Sequence, residues 1–238
     1  MIALVASLLL AVAPSPAAPP ALPLGDATEL AAPSPVRDAT ELAAPSPVRD
    51  SLTYYYVRQD ARALRRLLRA AQTREEKLLV RYRLYPLTQD KRDIGDIPSD
   101  RGVTAPRELA LISALWAYRA SSGPAWRLPT YGRRSERILD AARARSARDP
   151  YVLLVRGQSL YYKPGVFGGD VGEAKTTFET LRSVLGNRGI PGLHPAEAEI
   201  WIWMCERKLD PEAAAATRQR LMRRRLPPLF RQFLQDPP

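Results

Sequence analysis

Beyond residue 50, apolar positions recur almost everywhere at helical spacing, and no run alternates at the period of two expected of a half-buried strand. Val171, Ala174, Phe178, Leu181 and Leu185 follow one another at intervals of three and four, which places one apolar stripe along a helix over 170–185. The same pattern predicts a first helix opened by Asp50-Ser51 and carrying Leu52, Tyr55, Tyr56, Ala63, Leu64, Leu67, Leu68 and Ala71. Thr73-Arg74-Glu75-Glu76 has the spacing of a capping box and opens a second helix through Leu78, Leu79, Tyr82 and Tyr85, which ends near Pro86. The polar stretch from Asp90 to Gly102, with Gly95 and Pro98, is predicted as a loop, and Ser121 to Gly132 as another. Further amphipathic helices are predicted over about 105–120, 133–147, 151–162, 195–208 and 210–225, with a short apolar tail of Leu229, Phe230, Phe233 and Leu234. The fold class is therefore all-α, an array of antiparallel helical hairpins over 51–238.

The first fifty residues follow a different rule. Ile2 to Val12 is an uninterrupted apolar run, too short to span a bilayer, and Ser15-Pro16-Ala17 supplies a small-x-small pattern after it. Residues 1–18 are read as a signal peptide, although no lysine or arginine precedes the run. Residues 19–50 form an Ala/Pro-rich linker that contains DATELAAPSPVR twice in tandem, at 26–37 and 38–49. A proline-broken period of that length cannot stack as a helical hairpin and favours an extended, solvated chain. Export to the periplasm or envelope of a bacterium follows as the expectation, with no transmembrane span in the mature chain.

Composition narrows the chemistry. Lys and Arg number 36 against 25 Asp and Glu, for a formal net charge of +11, and nearly all the cations are arginine. His194 is the only histidine and Cys205 the only cysteine, which excludes an intramolecular disulfide and a Cys/His zinc site. A Ser-His-Asp relay would need His194, but Gly192-Leu193-His194-Pro195 reads as a helix start. Asp93, Asp96 and Asp100 share one loop without a spacing that points to acid–base work. No catalytic residue, metal ligand or cofactor is predicted, and the chain is not expected to be an enzyme.

One stretch needs a closer look. Gly169-Asp170-Val171-Gly172-Glu173-Ala174-Lys175-Thr176 approaches a phosphate loop, with Ala174 where the second glycine belongs, and an NTPase is the remote alternative it raises. Such a loop must follow a buried strand, yet Leu153 to Tyr162 has helical spacing. Asp170 and Glu173 would also set two carboxylates against the phosphates. The stretch reads better as a hairpin reversal at Gly168-Gly169, followed by an N-cap at Asp170, with Lys175 and Thr176 on the outer helix face.

Leu153-x3-Gly157-x3-Tyr161 followed by Ala174-x3-Phe178-x2-Leu181 resembles the two helices of a tetratricopeptide repeat, and Asp149-Pro150 resembles the Asp-Pro that ends the preceding repeat. A weaker copy precedes it, with Leu111, Leu115, Tyr118, Ser135, Leu139 and Ala142. A third follows, with Trp201, Met204, Cys205 and the Ala213–Ala216 run. The copies are spaced more widely than the ~34 residues of that family. The resemblance implies a scaffold that binds a protein or peptide in a groove, and its concave-face positions fall on Tyr151, Leu154, Gln158 and Tyr161. Trp201, Trp203, Ile200, Met204, Tyr161 and Tyr162 are otherwise expected in the core. An alternative partner is an anionic lipid or other polyanion met by Arg218, Arg220, Arg223, Arg224 and Arg225, with nucleic acid the least expected of the acidic surfaces.

Overall fold

The computed structural model describes residues 46–237. Among these residues the chain forms eleven α-helices and no strand; Ile190 and Leu193 make one isolated bridge. Among the described residues no helix is long and apolar enough to cross a membrane. The signal peptide and most of the linker lie outside the described residues.

Prolines, read along the sequence mainly as breakers, often start helices. Pro47, Pro106, Pro150, Pro195, Pro211 and Pro228 are each the first residue of a helix, where the missing N–H would have had no intrahelical partner. Helix α1 (Pro47–Val57) accordingly begins earlier than predicted, because Ser46 accepts the Arg49 N–H and Val48 is buried. The end of the second repeat copy thus belongs to the first helix; the first copy lies outside the described residues.

The predicted long first helix is two. Gln59 adopts φ 60°, and Asp60 accepts the Ala63 N–H at 2.8 Å to open α2 (Ala61–Ala70), a local cap that competes with helix continuation. Helix α3 (Arg74–Thr88) opens on the predicted capping box: Glu76 donates its N–H to Thr73, and its carboxylate accepts the Thr73 N–H in return. Pro86 does not end α3. It removes the hydrogen bond to the Tyr82 carbonyl, which instead accepts a long bond of 3.4 Å from the Tyr118 hydroxyl.

The loop from Asp90 contains a single turn, α4 (Lys91–Ile94), and Asp90, Asp93 and Asp100 hold it in place. Asp93 takes two hydrogen bonds from Arg65, and Asp100 pairs with Arg134 and Arg137. Helix α5 (Pro106–Ser122) is joined to α6 (Leu128–Arg145) through Gly123, Pro124 and one 3-10 turn, so most of the predicted loop over 121–132 is helical. Pro129 sits in the first turn of α6, where proline is favoured. The remaining helices are α7 (Pro150–Tyr162), α8 (Val171–Leu185), α9 (Pro195–Leu209), α10 (Pro211–Met222) and α11 (Pro228–Gln235).

Neighbours along the chain pack together: α2 on α3, α5 on α6, α7 on α8, α8 on α9 and α9 on α10. Helix α5 also lies between α3 and α7. Small residues set the closest approaches. A Cβ on Gly157 would stand 2.6 Å from the Phe178 ring, so α8 rests directly on the α7 backbone at the glycine. Ser113 and Ser135 exchange buried hydrogen bonds with each other's carbonyls at 2.8 and 2.9 Å, which draws α5 and α6 together. The ends of the described chain also meet. Helix α11 packs on α1 as well as on α9 and α10, and Gln59 donates to Gln232 at 2.7 Å.

Candidate functional site

Helix α5 carries Ala114, Ala117, Ala120 and Ser121 on one side, and Ala117 is exposed although the helix is packed by neighbours on several sides. Ala117 is open because this side lines a cavity of about 360 Å³, within the ~300–1,000 Å³ typical of ligand pockets. Across the hollow stand large rings: Tyr82 from α3, Tyr162 from α7, Trp201 from α9, and Phe230 and Phe233 from α11. Small side chains on α5, and Gly132 and Ser135 on α6, thus face aromatic ones on the other walls, and the space a leucine would fill is left open.

A charged pair lies in this apolar surround. Arg83 and Glu197, 2% and 4% exposed, bring α3 and α9 together through an Nη1–Oε1 contact of 2.7 Å. The guanidinium lies 4.5 Å from the Tyr56 ring centre and 4.9 Å from that of Tyr82, close enough for cation–π attraction. Among the described residues, Arg83 Nε and Nη2 and Glu197 Oε2 have no hydrogen-bond partner. Burial raises the Glu197 carboxyl above its ordinary value, against the opposing pull of Arg83. Burial likewise pushes the Tyr151 hydroxyl up to about 12, and raises Tyr56, Tyr82 and Tyr118. These phenols stay neutral at physiological pH, and those of Tyr82, Tyr118 and Tyr151 donate hydrogen bonds. Nearer the mouth, Tyr82 donates to Gln158 Oε1 at 2.9 Å, and Lys163 pairs with Glu136.

Of the four groove positions implied by the repeat resemblance, the cavity contains one. Gln158 lines it, together with Val155, Ser159 and Tyr162 of the same helix and Lys163 just beyond its end. Tyr151 and Leu154 are fully buried, and the Tyr151 hydroxyl donates to the Pro191 carbonyl at 2.7 Å. Tyr161 packs edge-on against Trp201 and beneath Lys208. The reason is enclosure: α5, α6 and α8 all pack on α7, and only a narrow stripe remains open. Trp201 and Met204, predicted as core, are buried and also form part of the cavity wall. Tyr56 is predicted only as an apolar helix position, and Arg83, Ala117 and Glu197 are not among the predicted site residues. The signal for them was faint: one arginine and one glutamate inside otherwise buried helical stripes, and a row of small residues on α5.

The C-terminal arginines are not one free patch. Arg224 binds Glu199 at 2.6 Å, Arg220 approaches the same carboxylate at 3.8 Å, and Arg218 donates to the Leu234 carbonyl at 2.7 Å, tying α10 to α11. Arg223 and Arg225 are exposed, with no ion pair among the described residues. Comparison with protein-family models, curated proteins and solved structures finds no match.

The phosphate-loop likeness resolves into helix chemistry. Asp170 accepts the Glu173 N–H at 2.9 Å, and Gly168 adopts φ 82°. A Cβ on Gly169 would lie 1.8 Å from the Lys163 carbonyl oxygen. Helix α7 precedes the turn. Lys175 is not on the outer face as expected: it crosses to α9 and pairs with Glu206 at 3.3 Å, because α8 packs against both α7 and α9. His194 caps α9, its Nδ1 accepting the Ala196 N–H at 3.1 Å.

Proposed function

We propose that this chain is a binding scaffold of tetratricopeptide-like build that receives an apolar segment of a protein or peptide partner in the central cavity. The observation that carries the reading is the exposed Ala117 wall of α5 facing aromatic side chains across open space inside an otherwise packed helical array. The repeat-like build is supported by the Gly157–Phe178 contact, which is the close approach of paired helices that the resemblance implies. Wide loops, and a last helix that returns to the first, distinguish the chain from a regular repeat. The lining is aromatic and aliphatic with a few polar groups, as is usual for a recognition pocket. Export to a bacterial periplasm or envelope belongs to the same proposal and rests on the apolar run Ile2 to Val12.

The test is a plug. Ala117→Trp fills the hollow from an exposed position, so the fold should persist. Peptides selected from a displayed random library on the wild-type protein should be rejected by the plugged one; a library that yields no peptide sensitive to the plug rejects the reading. A reporter fused after residue 18 that stays in the cytoplasm of a bacterial host rejects the export arm.

A further inference from the structure

The two most exposed large apolar side chains in the described structure are Trp126, 71% exposed, and Val166, 85% exposed. Each stands on a 3-10 turn that links two helices, Trp126 between α5 and α6 and Val166 between α7 and α8. Residues next to both turns line the one cavity, Leu128, Pro129 and Arg133 beyond the first and Lys163 and Phe167 around the second, and we take this edge as a mouth of the cavity. The Lys163–Glu136 pair ties the end of α7 to α6 at this place.

Charge at the mouth is positive. Arg127 lies 4.4 Å from the Trp126 ring and donates to the Tyr131 hydroxyl, and neither Arg127 nor Arg133 has an acidic partner among the described residues. The nearby acids are occupied, Glu136 by Lys163 and Glu173 by Arg156, while Asp170 caps α8. From these positions we infer that the mouth of the cavity docks on an anionic lipid surface, Trp126 and Val166 entering the interfacial zone and Arg127 and Arg133 meeting the head groups.

Two separate protruding side chains make no continuous apolar face of the several hundred Å² that a protein interface presents. They do suit a bilayer interface, where a tryptophan ring places an apolar body beside a polar N–H and nearby cations are attracted to anionic head groups. The contact is distinct from the C-terminal arginines, most of which are engaged within the protein.

Trp116, Trp201 and Trp203 are buried, so Trp126 is the exposed tryptophan that a soluble quencher reaches. With vesicles of phosphatidylglycerol, its emission should move to shorter wavelength and its quenching by acrylamide should fall; with vesicles of phosphatidylcholine neither should change. In sedimentation of the full chain with phosphatidylglycerol vesicles, the double variant Trp126→Ser/Val166→Ser should partition about tenfold more weakly, a loss of ~1.4 kcal/mol. Arg223→Gln/Arg225→Gln should partition like the wild type. If Trp126 stays equally quenchable with anionic vesicles, the inference is wrong. It is equally overturned if wild type and double variant partition alike, the apolar run at Ile2 to Val12 then carrying the membrane contact. A blue shift that grows with protein concentration and needs no vesicle overturns it in favour of protein–protein contact.

Discussion

One buried ion pair joins α3 to α9 in the cavity wall. Arg83 and Glu197 have been removed from water, and their contact recovers only part of that cost, since three of their polar atoms lack partners among the described residues. Removing one member leaves the other charged and buried. Arg83→Met should therefore destabilise the protein by about 3–5 kcal/mol. The double variant Arg83→Met/Glu197→Leu should recover most of that loss, and urea denaturation of the two variants measures the difference. A second consequence concerns His194. Burial, and to a lesser extent Arg224, lowers its pKa, and its Nδ1 must stay unprotonated to cap α9. The unfolded chain takes up this proton near pH 6.5 while the folded chain does not. Stability contributed by the neutral imidazole is thus complete above that pH and is lost as pH falls through the lower folded value. Thermal midpoints recorded downward from pH 7 should fall more steeply for wild type than for His194→Asn, which caps without titrating.

At the scale of elements, helix starts were legible because they rest on local chemistry. The Thr73 box, the Asp170 cap and the apolar stripe of α8 need only residues a few positions apart, and each is found where the sequence places it. Two equally local starts escaped, the Ser46 cap of α1 and the Asp60 cap that splits the predicted first helix; other features that escaped were set by distant partners. Pro86 stays within α3, where Tyr118, 36 residues away, bonds the carbonyl the proline orphans. Lys175 reads as a surface lysine until α9 brings Glu206 to it. The cavity itself depends on which faces of α3, α5, α7, α9 and α11 converge, and periodicity marks a face without saying whether it will be filled. The contact of α7 with α8 makes the clearest prediction at this scale. Gly157→Ala introduces a methyl group into the Phe178 ring across well-packed helices, which should cost about 1–3 kcal/mol. Phe178→Leu in the same chain should relieve part of the clash, so the two losses measured by denaturation should sum to more than the double variant shows.

Among the described residues the last helix returns to the first, which an open helical array would not do. In an open array each unit touches only its neighbours, so a lesion at one end stays local and the far end keeps its protection. Here Leu229, Phe230 and Leu234 of α11 are buried in a helix that packs on α1, and the Gln59–Gln232 hydrogen bond joins the two directly. Phe230 and Phe233 also wall the cavity, so the closure that joins the ends is what gives the hollow its far side. Phe230→Ala should cost about 3–5 kcal/mol as a large-to-small core change. It should also raise amide exchange in α1, more than 170 residues earlier in the chain, together with exchange in α11. Hydrogen exchange followed by mass spectrometry separates the alternatives. Loss of protection confined to α9, α10 and α11 would describe an open array whose ends merely touch; loss that extends to α1, with α5 and α6 unchanged, is the outcome a closed array requires.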